Sequence, residues 1–174
     1  LMSQQLGVRL EMGVPPTADL LIPWLQEGRG DVIAAAYTVT EKRKERIQFS
    51  SPYLYVNEML VTRKDNVNIA SMDKLKGLTI HVRPSSSYHA TLTALQATHG
   101  PFTIAAADES VETEQILRGV AEGRFDYTVS DSHILAVEQT YTDGLVGLFP
   151  LTKVEEGATD LKGRPRGEAL SIAF

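Results

Sequence analysis

The chain has 174 residues, 43% of them hydrophobic and 22% charged, with a net charge of -5 and no cysteine. That is enough apolar material for one large domain or two small lobes; the missing thiols exclude disulfides, cysteine-held metals and thiol catalysis, and the scattered basic residues argue against nucleic acid as a partner. No apolar run approaches the roughly 18 residues of a membrane span, and no charged-then-apolar leader opens the chain, so a mature or excised soluble piece is expected.

The segment "LMSQQLGVRLEMGV" reads as the last turn of a helix stopped at Gly7, followed by a short alternating strand from Val8 to Met12. "TADLLIPWLQEGRGD" predicts a helix capped at Thr17, with an apolar face of Leu20, Leu21, Trp24 and Leu25, an early turn or kink at Pro23 and a stop at Gly28. "DVIAAAY" is apolar on both sides, which predicts a parallel strand covered by helices on both faces. "EMLVTRK" is a further strand and "NVNIASMDKLKG" a linker with one helical turn.

Then come a strand "LTIHV", a Ser-led helix "PSSSYHATLTALQATHG" and a strand "FTIAAA". "SVETEQILRGVAEG" is a helix whose capping box is expected between Ser110 and Glu114. A strand "RFDYTVSD", a helix "SHILAVEQTY" and a strand "LVGLFPL" follow. The polar, Gly-rich "KVEEGATDLKGRPRGEAL" reads as a surface hairpin or loop before a return strand near "ALSIAF". Strand and helix alternate, so the fold class is α/β.

One internal echo stands out. "LQEGRGDVIAAAYT" from 25 and "VAEGRFDYTVSDS" from 120 each end a helix in Glu-Gly-Arg, then any residue, Asp and a strand. The echo fits two similarly built lobes, and it fits a common helix-Gly-strand joint that happens to recur. Open α/β sheets bind ligands at the carboxyl ends of their strands. In the first copy that end carries Thr38, Thr40 and Arg43; in the second it carries Ser130, Asp131 and Ser132. A guanidinium on one side of a cleft and a carboxylate on the other suit a small zwitterion, with Arg43 forked onto a carboxylate and Asp131 on an ammonium.

"GRGDVIAAAYTVTEKRKERIQFSSPYLYVNEMLVTRK" resembles the Gly-x-x-Asp, Thr-x-Thr-x-x-Arg and Phe-Ser-x-Pro-Tyr signature of bacterial family 3 extracellular solute-binding proteins, of the polar amino-acid-binding type. The likeness continues through "LKGLTIHVRPSSSY" and "AEGRFDYTVSDSHIL". The form "FDYTVSDS" is most similar to the binding module of membrane-bound lytic murein transglycosylase F and its relatives, in which a separate catalytic domain accompanies the module.

The resemblance implies a two-lobed periplasmic-binding-protein-like (type II) fold with lobe one incomplete at both chain ends. Lobe one is expected at residues 1–62 plus 168–174, and lobe two with the hinge crossings at 63–167. It implies that Arg43 clamps a ligand carboxylate with Thr38 as hydroxyl partner, and that Ser86 and Ser87 hold the same carboxylate at the start of a helix. Asp131 is expected to hold the ammonium. Where amino-acid binders often have Ser or Gly, this chain has Ala35, Ala36 and the bulky Tyr37, and Ser85 replaces a more usual Gly.

The implied function is a non-catalytic, periplasmic or membrane-anchored binding domain that closes on an amino acid or short peptide. A membrane permease or an attached catalytic domain is the expected partner, and no cofactor or metal is expected. Two alternatives stay open: a regulatory sensor binding cell-wall stem peptides in a lytic transglycosylase, and a dehydratase of the same fold that uses a cleft acid.

Plainer readings exist for each residue. Arg43 lies in "TEKRKER", which also reads as a solvated helical face; Asp131 also reads as a helix cap, and Ser85 to Ser87 as a capped loop. "DSH" at 131 to 133 places neighbours on different helix faces and cannot form a catalytic relay. His81, His89, His99 and His133 lack metal-ligand spacing. Trp24 and Tyr53 read as packing, with Tyr53 also a candidate for lining the cleft.

Overall fold

A computed structural model describes residues 2–152 and 168–174. In chain order the elements are α1 (Met2–Leu6), α2 (Leu21–Gln26), β1 (Ile33–Thr38), α3 (Glu41–Lys44), β2 (Leu54–Val56), β3 (Glu58–Arg63) and β4 (Thr79–Val82). They continue as α4 (Ser87–His99), β5 (Thr103–Ala106), α5 (Thr113–Ala121), β6 (Tyr127–Asp131), α6 (Ser132–Glu138), β7 (Leu145–Pro150) and β8 (Glu168–Ala173). The expected hairpin or loop at 153–167 lies outside the described residues.

The strands form two sheets. A three-stranded antiparallel sheet has the order β1-β8-β2, and a five-stranded mixed sheet the order β5-β4-β6-β3-β7. In the larger sheet β4 runs parallel to β5 and β6, while β3 is antiparallel to both its neighbours. Alternation along β3 explains how that sheet is buried on both sides. Leu60 joins one cluster with Ile80, Val82, Leu92 and Val129, while its neighbour Val61 joins Leu117, Val120, Leu135 and Leu145 on the opposite face. Each such fully buried aliphatic side chain stabilises the fold by roughly 1.5–3 kcal/mol. The smaller sheet has a smaller core of Ile22, Ile33, Ile47 and Ala173.

The chain passes from one sheet to the other at Asn57, the single residue between β2 and β3. β3 therefore sits in the five-stranded sheet. The backbone of Asn57 is tied to the head of α6: the Ser132 amide donates to its carbonyl at 2.8 Å, and its own amide donates to Ser132 Oγ at 3.3 Å.

The Glu-Gly-Arg echo folds as the same joint twice. Gly28 and Gly123 adopt positive φ of 72° and 78°, where an L side chain is strained. Around Gly28, its amide donates to the Leu25 carbonyl and the Arg29 amide to that of Trp24; around Gly123, its amide donates to Val120 and the Arg124 amide to Gly119. Both are Schellman endings, which satisfy helix carbonyls that would otherwise lack donors.

Other expectations change in three places. Val8 to Met12 forms no strand, because among the described residues no neighbouring strand supplies the ladder; Val8 and Met12 are 58% and 77% exposed. "DVIAAAY" is not a strand covered on both faces: β1 pairs antiparallel with β8, and Ala34, Ala35 and Ala36 are exposed. The capping box of α5 is formed by Glu112 and Gln115, two residues after Ser110, since Ser110 is engaged with Asp108 in the preceding turn.

Candidate functional site

A cleft of about 520 Å³ opens between the two sheets. Its walls include Tyr37, Thr38, Arg43, Ser86, Ser87 and Asp131, so all six residues singled out in the sequence face one space. Three strand ends supply them: the carboxyl end of β1, the loop from β4 into α4, and the carboxyl end of β6. The segment from Leu10 to Pro15, outside any helix or strand, lines the cleft as well.

Arg43 is placed by local chemistry. Thr40 caps α3 and accepts the Arg43 amide at 3.3 Å, which fixes the short helix so that Arg43 turns back over β1. Its Nη1 donates to the Thr38 carbonyl at 2.8 Å, and Nη2 donates across the cleft to the Ser85 carbonyl at 3.1 Å. The guanidinium lies 3.9 Å from the ring centre of Tyr37, which is itself stacked on Phe49. Burial lowers the Arg43 pKa, and Tyr37, Glu58, Tyr88 and Asp131 oppose that shift. These hydrogen bonds run to carbonyls, so donors of the five-donor fork remain for a carboxylate.

On the opposite wall Ser86 caps α4. Its hydroxyl accepts the His89 amide at 3.3 Å and donates to the Arg83 carbonyl at 2.7 Å, so it shapes the loop. Ser87 is buried and donates to Thr38 Oγ1 at 3.4 Å, another link between the two sides. The first amides of α4 have no intrahelical acceptor, and they carry the positive end of the helix dipole to this wall. Ser85 is held by Glu109, which accepts from its amide at 2.8 Å and from its hydroxyl at 2.6 Å.

Asp131 ends β6 and is only 4% exposed. It occupies the cap position of α6 without a side-chain cap bond, so capping is not what its carboxylate does there. Its amide donates to the Tyr88 hydroxyl at 3.2 Å, and Tyr88 also lines the cleft. Arg83 adds a second guanidinium to the wall, bound to Glu112 at 3.1 Å. Tyr53 is 57% exposed and does not line the cleft.

The sequence reading missed Glu58. It opens β3, pairs directly with Asp131 across the ladder, and is fully buried. Neither carboxyl oxygen has a hydrogen-bond partner of good geometry, although the Thr91 and Ser87 hydroxyls lie close enough to favour its charged form. Burial, with the neighbouring Asp131, raises its pKa to about 7. The available signal was the placement of Glu at the head of "EMLV", a run that is otherwise buried strand. Among the described residues no group of three or more His, Cys, Asp or Glu side chains is placed to hold a metal ion. No described helix is long and apolar enough to cross a membrane.

Residues 1–162 match the family described as bacterial extracellular solute-binding proteins, family 3. The chain is 36% identical over 162 residues to a membrane-bound lytic murein transglycosylase F of Desulfosudis oleivorans, covering 93% of this chain and 35% of that protein. It is 31% identical over 170 residues to membrane-bound lytic murein transglycosylase F 1 of Alkalilimnicola ehrlichii, covering 98% and 34%. The chain thus spans about a third of the length of these relatives. Among solved structures, an ancestral arginine-binding protein bound to arginine superposes with a TM-score of 0.77 at 26% identity, covering 99% of this chain and 70% of that one. An ancestral arginine-binding protein bound to glutamine gives 0.77 at 27%, covering 99% and 69%.

Proposed function

Since the chain belongs to the bacterial extracellular solute-binding proteins of family 3, we propose that its cleft closes on a small zwitterion, a free amino acid or the free end of a short peptide. Arg43, Thr38 and the amides at the head of α4 hold the carboxylate, Ser86 shapes that helix start, Ser87 adds a hydroxyl, Asp131 holds the ammonium and Tyr37 forms the stacking floor. The observation that supports this most is the placement of Arg43. It reaches from the β1 side to the Ser85 carbonyl on the β4 side, so one guanidinium touches both walls. A ligand carboxylate there contacts both sides of the cleft only when they are close together, and differential affinity of that kind drives closure. The solved neighbours bound to arginine and glutamine support the ligand class.

A second reading is favoured by the curated relatives. In it the same closure is a sensor that responds to cell-wall stem peptides and biases a transglycosylase domain elsewhere in the protein. A thermal-shift screen of the full-length protein against the standard amino acids and muropeptide stem peptides tests both, because a ligand that binds only the native state raises Tm by mass action. A shift with one free amino acid supports a receptor that presents its closed form to a permease. A shift with stem peptides alone supports the sensor, and no shift with either overturns the zwitterion reading.

A further inference from the structure

Glu58 is a fully buried carboxyl whose nearest polar company is the Ser87 and Thr91 hydroxyls, neither in good hydrogen-bond geometry, and it stands at the point where the chain passes between the sheets. It follows Asn57 directly. Its amide donates to Thr152 Oγ1 at 3.2 Å, and its carbonyl accepts the Leu151 amide at 2.7 Å, so it also ties down the end of β7 where the chain leaves the larger sheet. Its strand partner is Asp131, which lines the cleft while Glu58 lies behind it. Two carboxyls on directly opposed positions, both shielded from water, do not both ionise without cost, and a proton bound there belongs to the pair.

The groups that act on this pair come from each element packed around it. Asp131 on β6 disfavours a second negative charge, Arg43 on α3 favours one, and Tyr88 on α4 stays neutral because burial pushes its pKa up. The Thr91 and Ser87 hydroxyls of α4 favour the charged form and, after burial itself, act on Glu58 more strongly than Asp131 or Arg43 does. Arg43 is also the residue placed to receive a ligand carboxylate. Once it does, less of its positive charge serves Glu58, and the counter-charge for two carboxylates has to come from elsewhere.

We propose that the buried, directly opposed Glu58–Asp131 pair shares a proton, and that binding a ligand ammonium at Asp131 releases it. Below about pH 7 the pair holds one proton before the ligand arrives. When the ammonium settles against Asp131 the proton leaves to solvent, so one positive charge replaces another and the ammonium keeps its own protons. Glu58 acts here through Asp131, as a positioning and charge-setting residue that does not itself touch ligand. The inference rests on the amino-acid reading of the cleft.

The test is isothermal titration calorimetry of the full-length protein with L-arginine and L-glutamine, run at one pH in buffers of different ionisation enthalpy and then across pH 6 to 8. The expected heat varies with buffer in the sense of proton release, and Kd falls roughly fivefold from pH 6 to 7. In E58Q both dependences vanish while binding persists. Binding without buffer dependence in the natural protein, or an unchanged dependence in E58Q, overturns the coupling and leaves the cleft assignment intact. No heat with either amino acid at any pH overturns the amino-acid reading and the coupling with it. A measurement that needs no variant is carbon-13 NMR of the Glu58 carboxyl: its titration midpoint falls when ligand is added, and a midpoint that stays put overturns the proposal.

Discussion

β1 and β6 are entered through the same Glu-Gly-Arg joint, yet they have different fates. β6 is buried at every position between β4 and β3. β1 is paired on one side only among the described residues, exposes three successive alanines and slips register between Ile33 and Tyr37, with Ala36 at a φ of 49°. Counting from the shared Asp, Ala36 in β1 stands where Asp131 stands in β6. The joint is a local device, set by a glycine that accepts positive φ and by carbonyls that need donors. What a strand becomes afterwards depends on which strands and helices flank it. The buried strand presents one carboxylate at its tip, where its environment is fixed from all sides. The open strand bends, and the guanidinium is delivered to the cleft by the helix that follows it.

The sharpest way to break this contrast is at Glu58, which exists in its present state only because β3 lies beside the buried copy. Its folded pKa of about 7 exceeds the unfolded value of 4.5, so the native state binds the proton more tightly. Stability from this group is fully present below pH 4.5 and is lost as pH rises through 7. The loss amounts to about 3 kcal/mol, seen as a pH-dependent fall in urea midpoint that E58Q lacks. An equally steep pH dependence in E58Q would place the titrating group elsewhere.

At the open copy, Arg43→Ala is expected to weaken amino-acid binding on the order of 100-fold, with little change in urea midpoint because its hydrogen bonds run to two carbonyls at the cleft edge. Calorimetry beside an unfolding curve checks both halves of that statement. A third comparison sets Val129→Ala against Ala34→Val, the matched positions of the two copies. Val129 is 1% exposed and its truncation is expected to cost about 2 kcal/mol, whereas the exposed Ala34 is expected to change stability by less than about 0.5 kcal/mol. Equal costs would mean the two strands are not as different as their burial indicates. The smallest effects belong to the shared joint: Gly28→Ala and Gly123→Ala should each cost about 1 kcal/mol, and nearly the same in both copies, since a Cβ meets no atom within 4 Å at Gly28 and nothing closer than 3.8 Å at Gly123.

Much of this was legible in the linear chain because it is local. Gly7, Gly28 and Gly123 stop their helices, Ser86 caps α4, and the order of strands and helices follows from apolar runs and turn residues. Thr38 and Arg43 were legible as polar residues at the carboxyl end of an apolar strand and through the family resemblance; that the Arg43 side chain folds back onto the Thr38 carbonyl is seen only in the structure. Val8 to Met12 misled because alternation alone does not make a strand; a ladder needs a neighbour. β1 misled because an apolar run shows that a strand avoids water on average and says nothing of which neighbours cover it.

By itself, then, the sequence determined the α/β class, the repeated helix-to-strand joint and the residue types at two strand ends, since each depends on dihedral preferences and contacts within a few residues. Only the tertiary structure decided that β3 enters the larger sheet, and with it that Glu58 faces Asp131, that Arg43 reaches Ser85, and that Glu109 holds the loop between them. Those contacts join residues 24 to 73 positions apart. No local preference specifies such a pairing, because it is selected by the burial and hydrogen bonding of the whole sheet at once.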